Sequence, residues 1–162
     1  MENEIVFKPI GVIRTPFDSI ENMPVQPNGA VGVKGIIELR EDLDAGLIDL
    51  EGFSHIILIY HLHLVKGYKL SVVPFMDDKP HGIFATRAPA RPNAIGISTV
   101  KLRAIIGHEL FVEGVDMVDG TPLLDIKPFF PKYDNQTDVK YGWLEEKVGL
   151  DITKVKSDRR FK

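Results

Sequence analysis

Apolar residues in this chain come in short bursts, and each burst is closed by residues that favour turns. Phe7 to Arg14 reads as a first strand ended by Thr15-Pro16. Ser19 to Gly32 carries Pro24, Pro27, Asn28 and Gly29 and reads as a loop. It is long for a compact domain, and long ordered loops tend to be functional. Gly35 to Leu39 is a second strand, and Glu41 to Leu50 places Leu43, Leu47 and Leu50 on one face of a helical turn. His55 to Leu64 is nearly continuous in apolar, β-branched and aromatic residues, the pattern of a central strand buried on both faces. After a turn-rich stretch from Met76 to Gly82, Ile83 to Ala85 starts a strand that Arg87 to Asn93 interrupts. Ile97 to Ile106 resumes strand character. Gly107-His108 fits a two-residue hairpin, with Glu109 to Glu113 returning. Leu123 to Phe129 is a further strand, and Tyr141 to Val148 a short helix. The residues from Lys154 to Lys162 read as a solvated, fraying tail.

Many short strands with Gly and Pro between them, and no alternating long helices, predict a mainly β protein built as a closed or nearly closed β-barrel. A Rossmann sheet does not fit. The 162 residues suit one domain over residues 1–150, followed by a basic tail over 151–162. No apolar run approaches the roughly 20 residues of a membrane span; the longest is Ile56 to Tyr60. The acidic start, Met-Glu-Asn-Glu-Ile, lacks the apolar core of a signal peptide. The chain has no cysteine, which removes disulfides, thiolate metal sites and thiol nucleophiles together and makes a cytoplasmic location the default.

A net charge of −3 counts against a dedicated nucleic-acid binder, which is usually basic. The distribution changes that picture. Lys79 to His108 holds Lys79, Arg87, Arg91, Lys101 and Arg103 and no acidic residue, a basic segment in an acidic protein. Within it, the stretch Gly82 to Gly96 sets Arg87, Arg91 and Asn93 on a backbone stiffened by Pro89 and Pro92. A rigid loop presenting guanidinium groups suits phosphate, carboxylate or a base edge. The competing reading is a Pro-rich turn whose arginines lie in water.

His55, His61 and His63 share strand parity and should face one side. His61 and His63 have the spacing of a metal pair, with His81 available, yet no acidic residue falls within the strand. His55 as a hydrogen-bonded core histidine and His63 as a pocket-lining residue, with no metal, account for them better. Asp116 to Pro128 contains Asp119-Gly120 before Thr121-Pro122, a tight turn with exposed backbone groups able to meet an adenine edge. Glycine-rich phosphate loops, dinucleotide fingerprints, nucleophile elbows and zinc-protease helices are all missing.

Four segments in order resemble the TsaA-like family of β-barrel tRNA methyltransferases, in its short single-domain form. They are Ile10 to Phe17, Leu50 to Ile56, Phe84 to Gly96 and Asp119 to Pro128. The resemblance implies S-adenosyl-L-methionine bound near the interface of a homodimer. It implies methylation of N6 of threonylcarbamoyl-adenosine at position 37 of tRNA. By family match the cofactor contacts fall on Pro24, Val25, Gln26, His63, Leu64, Arg87, Ile97, Val118, Asp119, Gly120 and Thr121. Val25 stands where family members often carry Arg. Arg91 and Asn93 are carried over as substrate or catalytic contacts, with a backbone carbonyl or the Asn93 amide oxygen as an acceptor for the N6 proton. Longer relatives have an additional C-terminal domain, for which the basic tail is a candidate substitute. A non-catalytic cofactor- or RNA-binding barrel, a histidine-based metal hydrolase and a structural dimerisation module are the competing functions.

Overall fold

A computed structural model of the chain describes residues 4–21, 23–25, 27–147, 149–151 and 154–161. Six strands close into a barrel: β1 (Gly11–Arg14), β2 (Lys34–Leu39), β3 (His55–His61), β6 (Ile95–Ile106), β7 (Glu109–Glu113) and β8 (Thr121–Pro128). Their order around the barrel is β1-β2-β7-β6-β3-β8, and every neighbouring pair runs antiparallel. Two further strands, β4 (Ser71–Val72) and β5 (His81–Gly82), form a separate two-stranded sheet.

Strand alternation explains the core. Ile56, Leu58 and Tyr60 of β3 point into the barrel and are buried, while His55, Ile57 and Ile59 on the other parity are half-covered. The expectation of burial on both faces is therefore corrected: β3 is central in its pairing but buries one face. Ile13, Ile37, Val100, Leu110, Val112 and Leu123 fill the same interior from the other strands. At about 25 cal/mol per Å² of apolar area, this single cluster is the main stabilising term. Two register shifts bend the wall, one between Leu102 and Ala104 of β6, the other where Ile59 and Tyr60 of β3 oppose Asp125 and Leu123 of β8. The Gly107-His108 hairpin forms as expected, with Gly107 at φ 59°.

Three local expectations change. Ile83–Ala85 is a 3-10 turn, not a strand, because the Thr86 amide and hydroxyl both donate to the Ile83 carbonyl. The expected C-terminal helix is a 3-10 turn over Gly142–Lys147, and Val148 lies outside the described residues. The tail does not simply fray. Pro24 and Lys156 form a β-bridge, the Ser157 hydroxyl donates to the Ile20 carbonyl at 2.6 Å, and Phe161 is buried. Phe161 joins Val72, Ile83, Ala88 and Ala90 in a second, smaller core beside the barrel. The described tail is thus a docked strap that fastens the Ser19 to Gly32 loop to the arginine segment.

Candidate ligand cleft

A cleft of about 950 Å³ opens between the barrel end and this second core. That volume is within the ~300–1,000 Å³ common for small-molecule sites. Its walls include residues singled out in the sequence. The first loop contributes Pro24 and Val25, the turn after β3 contributes His63 and Leu64, since the strand ends at His61 and not at Leu64 as expected, and the arginine segment contributes Arg87 and Arg91. The start of β6 adds Ile97, and the turn before β8 adds Val118 and Thr121. Gln26 lies outside the described residues. Asn93, Asp119 and Gly120 are not among the lining residues.

The arginine segment owes its shape to Arg91. One guanidinium nitrogen of that residue donates to the carbonyls of Thr86 at 2.8 Å and of Ile83 and Ala88 at 3.3 Å each. Three carbonyls converging on one cation hold the segment in a loop, and the guanidinium also lies 6.0 Å from the Phe84 ring centre. Arg91 is both a wall of the cleft and the brace of its own loop. Asn93 is exposed between Arg91 and Ile95, both of which line the cleft.

The Asp119-Gly120 turn uses its amides internally. The Asp119 amide donates to the Phe17 carbonyl at 2.7 Å, and the Gly120 amide to the Ile13 carbonyl at 3.0 Å. The Asp119 carboxylate accepts from the Thr15 amide at 3.0 Å. The turn therefore seals the end of β1 instead of presenting free donors, and it meets the cleft through Val118 and Thr121.

Among the cleft residues not singled out from the sequence, four are tied to one another or to the wall by hydrogen bonds. Tyr60, the last inward residue of β3, pairs with Gly96 of β6. A Cβ at position 96 would overlap the Tyr60 ring, so the glycine makes room for it. The ring then reaches along β6, and its hydroxyl meets the Ser98 hydroxyl at 2.9 Å. Ser98 in turn donates to the Asp116 carboxylate at 2.6 Å. Since Ser98 has one proton and gives it to Asp116, Tyr60 is the donor to Ser98. The signal was present in part: Asp116 is the one acid between Val115 and Val118, where the neighbours are apolar.

Burial, opposed by the Ser98 hydrogen bond, Asp116's own amide and the Arg87 charge, pushes the Asp116 carboxyl up to about 6. Burial and then the Asp116 charge raise the Tyr60 phenol. The fourth residue is Trp143, whose indole N–H donates to the Ala85 carbonyl at 2.7 Å and whose ring stacks on His81 at 4.3 Å. His81 meets Asp77 at 2.9 Å, and Lys147 meets the same carboxylate at 3.5 Å. His63 lines the cleft as anticipated, whereas His55 bonds the Ser54 hydroxyl at 2.9 Å but is half-covered on the outer parity of β3 and not in the core. No trio of His, Cys, Asp or Glu among the described residues is placed to hold a metal.

The cleft thus sets two carboxylates, Asp116 and Asp158, and two guanidiniums, Arg87 and Arg91, in a mostly apolar lining that includes Tyr60, Phe75, Met76 and Phe84. That set suits a ligand carrying a flat heteroaromatic ring together with both signs of charge.

Comparison with known proteins gives the same picture. Residues 12–135 match the family model described as the tRNA-methyltransferase O N-terminal domain. A "Probable S-adenosyl-L-methionine-binding protein" of Pyrococcus abyssi is 48% identical over 157 residues, covering 97% of this chain and 85% of its own. The mouse tRNA (adenine(37)-N6)-methyltransferase is 36% identical over 138 residues, 81% of this chain but 32% of the mouse protein. The crystal structure of TrmO from Pseudomonas aeruginosa superposes with a TM-score of 0.73 at 36% identity, covering 86% of this chain and 62% of that one. This chain therefore spans about a third of the mammalian enzyme's length and under two thirds of the bacterial one's.

Proposed function

We propose that this chain, which belongs to the tRNA-methyltransferase O family, binds S-adenosyl-L-methionine in the cleft and methylates N6 of adenosine 37 of tRNA. The supporting observation is the convergence of Arg87, His63, Val118 and Asp116 on one mostly apolar cavity large enough for a nucleoside-sized ligand. When bound, the sulfonium donor supplies an activated methyl group.

The chain's own residues bind and orient. Arg87 offers a fork for a carboxylate, and Asp116 offers a single negative charge in a half-buried setting. Tyr60, Phe75 and Met76 supply apolar surface for a ring. Holding both reactants in line contributes roughly 7–11 kcal/mol in well-oriented systems. Asn93, exposed beside the cleft, is a proposed contact to the tRNA or to a second subunit. The finer substrate, threonylcarbamoyl-adenosine, belongs to the same proposal, and tRNA modification sets the reaction in the cytoplasm.

A homodimer is part of it too. Phe84, Ile95 and Ile97 are exposed beside the cleft, at 75%, 41% and 55%, and a second copy would cover them.

The test is thermal unfolding with S-adenosyl-L-methionine and S-adenosylhomocysteine, followed by methylation of total tRNA from a strain lacking the activity. Both ligands should raise the midpoint by mass action. Labelled methyl should enter tRNA, and tRNA binding should weaken with salt. No thermal shift and no transfer would reject the reading. A shift without single-turnover transfer would favour a non-catalytic binding barrel, the function closest to the Pyrococcus relative's description.

A further inference from the structure

We infer that Asp116 is the proton acceptor of the methyl transfer, held in place by a hydrogen-bonded line that runs from Tyr60 through Ser98 to its carboxylate. The inference rests on the proposed reading of the cleft. An amino nitrogen conjugated to a purine ring is a weak nucleophile while it keeps its proton. A group that takes the proton must line the cleft, carry a basic atom, and be fixed within hydrogen-bond reach of the substrate; His63 also lines the cleft, but among the described residues no hydrogen bond fixes its ring. Among the carboxylates of the described residues, Asp116, in the segment between β7 and β8, lines this cleft. Asp158, the other acid in the lining, is exposed and is engaged by Arg160 at 2.7 Å. Asn93, the acceptor expected from the sequence, is not in the lining.

The geometry around Asp116 is built for one task. Ser98 is 2% exposed and aims its proton at one carboxylate oxygen. Tyr60, 5% exposed, fixes the Ser98 hydroxyl from behind and cannot itself turn outward, because its ring fills the space that Gly96 leaves. Every donor in this line points toward Asp116, so the carboxylate is oriented while one oxygen keeps acceptor capacity for a ligand. The charged and titratable groups facing it are Tyr60 from β3 and Arg87 from the arginine segment; Ser98 of β6 and Asp116's own amide are neutral donors.

The step balances. The nitrogen gains a bond to carbon, and the carbon–sulfur bond of the sulfonium donor breaks with its electron pair left on sulfur. The N–H proton passes to Asp116, so one positive and one negative charge vanish together. The carboxylic acid then returns its proton to water through the open cleft.

The experiment uses the full-length protein with S-adenosyl-L-methionine and unmethylated tRNA in single turnover from pH 5 to 9. It is paired with a carbon-13 NMR titration of the aspartate carboxyls and with calorimetric cofactor affinity. In the wild type the rate should rise through the pH at which the Asp116 carbon titrates, near 6. Asp116→Asn should lose at least 100-fold in rate at saturating cofactor, the usual reach of a general base. Ser98→Ala removes a donor to the charged form, so both the NMR midpoint and the rate midpoint should move together to higher pH. This second variant decides the matter even if Asp116→Asn folds poorly. An Asp116→Asn enzyme within threefold of wild type at every pH would overturn the inference and leave the proposed function standing. So would a Ser98→Ala rate profile that stays put while its carboxyl midpoint moves. A wild type that neither binds the cofactor nor methylates tRNA would overturn the functional reading itself.

Discussion

A half-buried acid is costly to keep ionised, and Asp116 shows the sign of that cost. Its carboxyl is pushed up from 3.8 to about 6 by burial, so between those values the native protein holds a proton that the unfolded chain has lost. Stability must therefore fall as pH climbs from about 4 to about 6 and be flat beyond, a loss on the order of 2–3 kcal/mol from this group. Asp116→Asn keeps an acceptor for Ser98 but carries no charge. The prediction is that wild-type urea midpoints decline across that window relative to Asp116→Asn, the two curves separating most above pH 6. Parallel curves would show that the carboxyl is not burdened in the native state. A site that keeps such a group accepts lower stability at neutral pH in exchange for a base that is ionised there and yet basic enough to act.

The arginine segment shows how an element without regular structure can be rigid. Prolines restrict Ala88 and Arg91, the residues before them, and Arg91 ties Ile83, Thr86 and Ala88 to one cation. A lysine ammonium lacks the planar fork and stands farther from one of these carbonyls whenever it reaches the others. Arg91→Lys should cost about 1–2 kcal/mol and speed hydrogen exchange at the Thr86 and Ala88 amides, whose partners lie inside this loop. Unchanged exchange would mean that the prolines alone hold it. This element also marks the limit of what the sequence discloses. The stiffness of residues 82–96 and their charge were legible from Pro89, Pro92, Arg87 and Arg91, and so was the barrel from the spacing of strands and turns. The inward use of the Arg91 fork was not, because a guanidinium surrounded by its own loop's carbonyls has the same local sequence as one in water. Nor was the Tyr60–Ser98–Asp116 line, since its members come from three separate stretches joined only by strand register and barrel closure. The closing turn at Asp119 was legible as a turn, while the occupation of its amides depended on where Phe17 returns.

At the scale of the molecule there are two cores, and the cleft lies where they meet. The barrel core is the larger; the satellite core of Val72, Ile83, Ala88, Ala90 and Phe161 holds the arginine segment against it. Phe161 contacts Phe75 edge-on at 5.2 Å, and the Arg160 guanidinium lies 5.0 Å from the same ring. Phe161→Ala should cost about 3 kcal/mol, confined to the satellite. The sequence has a single tryptophan, Trp143, and it sits on the cleft wall, so its fluorescence reports on that region. In Phe161→Ala the fluorescence transition in urea should precede the far-UV transition of the barrel, whereas in the wild type the two coincide. Coincident transitions in the variant would show that both cores melt as one.

The docked strap has a consequence for how this protein is born. All six barrel strands are complete by Pro128, and the residues that finish the cleft, Ser157, Asp158 and Phe161, follow them in the chain. A nascent chain can close its hydrogen-bonded cylinder while its binding chamber still lacks one wall. Folding in chain order thus separates closure of the barrel from completion of the cleft, which waits until the trailing segment folds back over the loop at Met23 and Pro24.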